Sequence, residues 1–354
     1  MTVLVTGGCG FIGTNFILEW VKLGGEKIVN LDLLTYAGNS QNLSHLPGDI
    51  YQLVHGDIGN KELVLRLLEV DKPRAILHFA AESHVDRSIL GPQAFIQTNV
   101  LGTFSLLEVV RAYFNELEGL AKDSFRFIQI STDEVFGSLG SEDPPFTEKS
   151  PYAPNSPYSA SKAGADHFCR AYYKTYGLPV IITNCSNNYG PYQFPEKLIP
   201  LIISNALDEK PLPVYGDGLQ IRDWIHVSVH CEALRIVLEK GVPGETYNIG
   251  GNAEKTNLEV IYTILDILDS LSPRPNGTKR TDLICHVRDR PGHDRRYAID
   301  SSKIQNTFGF TPRFDFLEGL TETVKWYLAH ESWVLNIKSG NYLKWLQTQY
   351  GQNS

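Results

Sequence analysis

Short, nearly continuous apolar runs alternate with longer amphipathic segments through the first half of the chain. Residues 3–6, 27–32, 51–55, 75–79 and 126–131 are brief and rich in Val, Ile and Leu, which predicts strands buried on both faces. Between them, 13–23, 60–70 and 95–115 carry apolar positions at helical spacing. A further helix is expected to start after Pro157 and run to about Tyr176, followed by a strand at 179–184. Such alternation predicts an α/β fold: a doubly wound parallel sheet with right-handed crossovers. After residue 185 the pattern loosens. Proline and glycine become frequent (Pro191, Pro195, Pro200, Pro211, Pro213, Gly216, Gly218) and the elements shorten. The expected organisation is a nucleotide-binding domain over 1–184, to which 222–249 returns, a smaller mixed α/β substrate-binding domain mainly over 185–330, and a helical extension over 331–354. Trp333 and Trp345 in that extension predict an amphipathic aromatic helix covering a core or an interface.

Composition narrows the partners. The chain has 354 residues, 42% of them hydrophobic and 20% charged, which excludes a disordered chain. A formal net charge of −8 argues against a nucleic-acid binder, because phosphate neutralisation needs a basic face. No apolar run reaches the ~18 residues of a membrane span. The first residues lead straight into a strand without a basic, cleavable leader, so a cytoplasmic protein is expected. Cys9, Cys169, Cys185, Cys231 and Cys285 are odd in number and include no C-x-x-C pair; reduced thiols and no metal site are expected.

The first strand runs into Gly7, Gly10 and Gly13 at G-x-x-G-x-x-G spacing. The first glycine permits a tight turn, the second a close backbone approach to a pyrophosphate, the third close packing of the helix on the strand. The helix N-terminus then offers amides and a positive dipole end to phosphates. Asp32, at the end of the second strand, stands where an acid that binds ribose hydroxyls is expected. Its carboxylate repels a 2′-phosphate, and Leu33, Leu34 and Thr35 supply no arginine, so NAD is favoured over NADP. Asp57 and Ile58 after the third strand, and Phe79, Ala80 and Ala81 after the fourth, are further candidate contacts. This is the Rossmann pattern.

Tyr158 and Lys162 are four apart, hence on one face of a helix. A cation there is expected to favour phenolate and lower the tyrosine pKa towards that of a useful base. Ser131 and Thr132 end the preceding strand, at the sheet edge where ligands of α/β proteins bind.

With the glycine triplet, Asp32, the strand-end hydroxyl and Y-x-x-x-K assembled, the chain resembles the extended short-chain dehydrogenases/reductases that act on nucleotide sugars. Asp133 and Glu134, in tandem after Thr132, make it similar to the 4,6-dehydratases of that family, whose substrate is dTDP-glucose. The stretches 78–88, 184–198 and 289–294 carry the same resemblance. What it implies is oxidation at C4 by bound NAD, loss of water across C5 and C6, and reduction at C6. Thr132, Asp133, Glu134, Tyr158 and Lys162 are then catalytic, Asp133 as acid and Glu134 as base; the sequence by itself does not order the pair. The resemblance adds Phe11, Ile12, Ser83, Thr98 and Asn188 to the cofactor contacts. It assigns substrate contacts to Ser83, Thr132, Asn187, Lys197, Leu198, Pro213, Val214, Tyr215, Arg222, Asn257, Asp289, Arg290 and His293. It also implies a homodimer joined through the helices at 95–115 and 158–176. A UDP-glucose dehydratase, a sugar 4-epimerase and a non-catalytic NAD-binding regulator remain alternatives; the acid pair speaks against the epimerase and the complete Thr132, Tyr158 and Lys162 set against the regulator.

Overall fold

A computed structural model describes residues 1–338; Trp345 and the rest of the predicted extension beyond Lys338 lie outside the described residues. The strands are β1 (Thr2–Thr6), β2 (Lys27–Asp32), β3 (Tyr51–His55), β4 (Ala75–His78), β5 (Arg126–Thr132), β6 (Val180–Cys185), β7 (Asn187–Tyr189), β8 (Leu212–Tyr215), β9 (Ile221–His226), β10 (Thr246–Ile249), β11 (Glu254–Thr256) and β12 (Ile284–Val287). The main helices are α1 (Phe11–Lys22), α2 (Lys61–Asp71), α3 (Thr103–Glu116), α4 (Pro157–Tyr176), α5 (Leu198–Leu207), α6 (Val227–Lys240), α7 (Asn257–Leu271) and α8 (Phe316–Ala329). The strands expected in the first half lie within a residue or two of their expected bounds.

Seven parallel strands form the central sheet in the order β3-β2-β1-β4-β5-β6-β10. The order reverses between β1 and β4, which opens a crevice beyond the carboxyl ends of the strands. Alternate side chains explain the continuous apolar runs: Val3 and Val5 pack with Phe16, Ile17 and α6 residues on one face, and Leu4 packs with Val29, Leu67 and Leu106 on the other. Residues 222–249 divide in space. Arg222 lies on β9 in a three-stranded sheet with β7 and β11, whereas α6 packs on α1 and β10 adds the seventh strand beside β6. A second pair, β8 and β12, forms a separate parallel ribbon. The smaller core gathers Tyr189, Ile202, Ile203, Val260, Ile264, Leu320 and Val324.

The helix expected over 95–115 is present but not uniform. Helical backbone begins at Pro92, and Ile96–Gly102 opens into a π-helical stretch before α3. The widened turn lets buried Asn99 leave the helix ladder. Its side-chain amide donates to Glu82 O and Ser161 Oγ, and its oxygen accepts from the Glu82 amide. π-Bulges of this kind concentrate at functional sites, and this one carries Thr98 to the cleft wall.

Candidate active site

Three adjoining cavities form one cleft along the carboxyl edge of the sheet, sharing wall residues from one to the next. The first turn is built from glycine by necessity. Gly7 holds φ +71°, and a Cβ there would sit 2.5 Å from the Ala80 amide nitrogen. A Cβ on Gly13 would lie 2.6 Å from Gly7 O. The α1 N-terminus has no side-chain cap, and Gly7, Gly10, Phe11, Ile12 and Gly13 line the central cavity. Orphan amides and the positive end of the helix dipole therefore face the cleft.

In the outer cavity the wall is Asp32, Leu33, Thr35, Asp57, Ile58, Phe79, Ala80, Ala81 and Thr98. Two backbone amides hold the Asp32 carboxylate, Cys9 N at 2.8 Å and Leu34 N at 2.7 Å. Burial pushes its pKa up against these bonds. The half-buried Leu34 side chain packs against the core while its amide steadies Asp32.

The β5 strand delivers Ser131 and Thr132 to the central cavity, and a single 3-10 turn, Asp133–Phe136, carries the acid pair. Thr132 Oγ1 accepts from Glu134 N and donates to Asp133 Oδ1, both at 3.3 Å, and shares the central cavity with Tyr158. Tyr158 and Lys162 come from α4, whose start is fixed by Pro157 and by the Ser156–Ser159 capping box. The Lys162 ammonium donates to Ile130 O at 2.7 Å and its charge is felt by buried Asp166, one turn along α4. Burial, then Glu134, hold the Tyr158 phenol well above its ordinary value. Asp166, missed in the sequence, gathers Ser131, Gln129 and Tyr152 beneath the site.

The two carboxyls differ in setting. Asp133 is 1% exposed, its Oδ2 has no hydrogen-bond partner, and burial followed by the Glu134 charge pushes its pKa well up. Glu134 opens onto both the central and the inner cavity. Burial raises its pKa too, but Arg290, Lys197 and Arg222 oppose that rise. Burial thus disfavours the charge on both carboxyls, with three cations opposing that rise at Glu134 and one, Arg222, at Asp133.

Asn187, Asn188, Gln193 and Lys197 form a wall common to the central and inner cavities. Ser83 joins the central lining, and Leu198, Pro213, Val214, Tyr215, Arg222, Asn257, Arg290 and His293 line the inner cavity. Lys197 Nζ donates to Ser83 O at 2.8 Å, and the Arg222 guanidinium donates to Asp294 O at 2.9 Å over the Tyr297 ring. The exposed Asp289 carboxylate, next to Arg290, accepts from His293 Nδ1 at 2.7 Å and from Gln220 Nε2 at 3.1 Å. Burial and the Arg290 charge bring the His293 pKa down to about 4, so the ring is neutral and donates. Asp86, also missed, accepts from Arg290 at 3.2 Å and from Tyr215 Oη at 3.2 Å. All five cysteines are unpaired. Among the described residues no helix is long and apolar enough to cross a membrane, and no cluster of three or more His, Cys, Asp or Glu could hold a metal.

A doubly wound dinucleotide fold with a strand-end hydroxyl, Tyr158 and Lys162 at its switch point defines an extended short-chain dehydrogenase/reductase. Within that class the family model described as GDP-mannose 4,6 dehydratase matches residues 4–323, and the chain belongs to this family. The dTDP-glucose 4,6-dehydratase of Xanthomonas campestris pv. campestris (strain B100) is 59% identical over 342 residues, 96% of this chain and 97% of that one. The crystal structure of dTDP-glucose 4,6-dehydratase from Bacillus anthracis in complex with NAD is 48% identical, with a TM-score of 0.84 over 96% of this chain and 100% of that one. The Streptomyces venezuelae dTDP-glucose 4,6-dehydratase, crystallised with NAD, is 45% identical, with a TM-score of 0.86 over 96% and 100%.

Proposed function

We propose that the chain is an NAD-dependent dTDP-glucose 4,6-dehydratase, a hydro-lyase releasing dTDP-4-dehydro-6-deoxy-glucose and water. The observation that carries this reading is the acid pair on one turn of the cleft: Asp133 is dry, while Arg290, Lys197 and Arg222 favour the charge on its neighbour Glu134, an asymmetry that suits Asp133 as acid and Glu134 as base. The glycine cradle, the uncapped helix and the held Asp32 carboxylate fit NAD. When bound there, NAD supplies a positively charged acceptor for the hydride that leaves C4 and later returns to C6.

The protein's own groups manage the protons. Tyr158 takes the proton of the C4 hydroxyl as its phenolate, the form that the Lys162 ammonium and the positive charge of bound NAD would favour against the burial that otherwise keeps the phenol protonated. Oxidation makes the C5 proton α to a ketone, and hence removable. Glu134 takes it, and Asp133 gives its proton to the departing C6 hydroxyl, which leaves as water. The C5 proton returns from Glu134, and the proton gained at C4 balances the one Asp133 gave up. Lys197, Arg222 and Arg290 supply local positive charge for a diphosphate, which the overall charge of −8 does not prevent.

Exposed Ile96 (54%), Leu101 (46%) and Phe168 (39%) on the helices flanking the site support assembly as a homodimer through that face. Five unpaired cysteines support a reducing, cytoplasmic setting.

Turnover of dTDP-glucose beside UDP-glucose tests the reading. The expected result is a 4-keto-6-deoxy product from dTDP-glucose with no net free NADH. A stoichiometric rise in NADH absorbance would replace it with a simple dehydrogenase, and faster turnover of UDP-glucose would change the nucleotide assignment. The pH profile of kcat is expected to be bell-shaped, falling on the acid side as Glu134 gains a proton and on the alkaline side as Asp133 loses one. Burial raises both, so the acid limb belongs above the ordinary Glu value of about 4.3. An acid limb at or below that value would contradict the assignment of Glu134.

A further inference from the structure

The short helix Glu331–Lys338 lines none of the three cavities, yet two chains of contacts lead from it to opposite sides of the cofactor half of the cleft. The first is polar. Trp333 Nε1 donates to Asn42 Oδ1 at 2.8 Å, Asn42 Nδ2 donates to Thr14 Oγ1 at 3.3 Å, and Thr14 Oγ1 donates to Gly8 O at 3.3 Å. It ends inside the glycine-rich turn. Asn42 and Thr14 are buried, so a lost partner there is not replaced freely by water.

The second is aromatic. The Trp333 ring meets Tyr192 edge-on at 5.8 Å and Trp326 at 5.1 Å, and Trp326 lies 4.7 Å from Tyr192. Tyr192 holds φ +66°, a left-handed conformation that a non-glycine residue keeps only where its surroundings enforce it. On either side of it, Pro191 O accepts from Asn15 Nδ2 at 2.9 Å and Gln193 O accepts from Tyr327 Oη at 2.6 Å. Gln193 belongs to the wall shared by the central and inner cavities. Thr14 and Asn15 are consecutive on α1, so the two chains rejoin on the helix whose N-terminus faces the phosphate site.

We propose that Trp333 and Asn42 are positioning residues for the cofactor: together with Tyr192 they brace the glycine-rich turn against the 191–193 segment and so keep NAD from leaving between turnovers. The proposal rests on the NAD reading above. It assigns a role to the aromatic C-terminal stretch that the catalytic account does not use.

The test is release of radiolabelled NAD from the purified, loaded protein into excess unlabelled NAD. Trp333→Phe keeps the ring and removes only the bond to Asn42; release is expected to be about fivefold faster, the worth of one neutral hydrogen bond. Asn42→Ala is expected to act in the same direction, and Trp333→Ala at least as strongly. With NAD and dTDP-glucose both saturating, Trp333→Phe is expected to turn over within about twofold of the unaltered protein, since the brace acts on cofactor retention and not on the acid–base groups. Release unchanged in both Trp333→Phe and Asn42→Ala, with folding intact by circular dichroism, would overturn the brace while leaving the NAD reading in place. So would a kcat deficit in Trp333→Phe that saturating NAD does not restore. Failure of the unaltered protein to hold NAD at all would overturn the cofactor reading and the brace with it.

Discussion

Glu134→Gln is expected to lower turnover by about a thousandfold, within the range of about 10²–10⁴ attributed to a general base. The amide is nearly the same size, so the turn Asp133–Phe136 and the packing around it are retained. What it cannot do is accept a proton from C5. Exchange of solvent deuterium into C5 is therefore expected to slow in parallel, while NAD remains bound and C4 oxidation still occurs. That split separates a proton-transfer role from mere support of the cleft. The substitution also removes the anion that Arg290, Lys197 and Arg222 surround, so tighter binding of the anionic substrate is an expected companion effect. Undiminished deuterium entry at C5 would remove Glu134 from the role of base.

Gly7→Ala is expected to cost about 2–5 kcal/mol of stability, the sum of a left-handed conformation for a side chain and an overpacked contact. Gly7 N donates to Leu31 O at 2.9 Å, which ties the turn to β2. The new methyl would lie 2.5 Å from Ala80 N, 2.6 Å from Ala80 Cα and 2.9 Å from Phe79 C. All three are backbone atoms, so relief requires β1 and the end of β4 to separate. That movement opens the phosphate turn, and NAD binding is expected to fall with stability. Gly24→Ala is the internal comparison. Gly24 holds φ +73° with nothing within 4 Å of the added carbon, so it carries the conformational cost alone, about 1–2 kcal/mol. Equal losses of thermal stability in the two variants would show that the close approach at Gly7 contributes nothing.

Much of the doubly wound sheet was legible because its cause is local. Strands buried on both faces need unbroken apolar runs, and each run from 3–6 to 126–131 has a strand beneath it. The glycine triplet and Asp32 were legible for the same reason, since the turn and the helix start constrain adjacent residues. The acid pair could be located but not ordered. Its order depends on which carboxyl meets cations, and Arg290, Lys197 and Arg222 come from distant stretches of chain. Asp86 was opaque for a similar reason: its partners Tyr215 and Arg290 lie 129 and 204 residues away. Leu34 and Asp289 also gain partners that the sequence did not show: the Leu34 amide donates to Asp32, and the Asp289 carboxylate accepts from His293. Helical spacing puts Lys162 on the Tyr158 face of its helix, but the bond from its ammonium to Ile130 O, 32 residues away, was not legible.

The parallel ribbon of β8 and β12 stands apart from the seven-stranded sheet, yet it carries Pro213, Val214 and Tyr215 into the inner cavity. On the proposed reading, the residues expected to meet the distal part of the substrate and the strand that delivers Thr132 thus rest on different sheets with separate hydrogen-bond ladders, so exchanges on the ribbon are expected to reshape that end of the cavity without disturbing the register of β5.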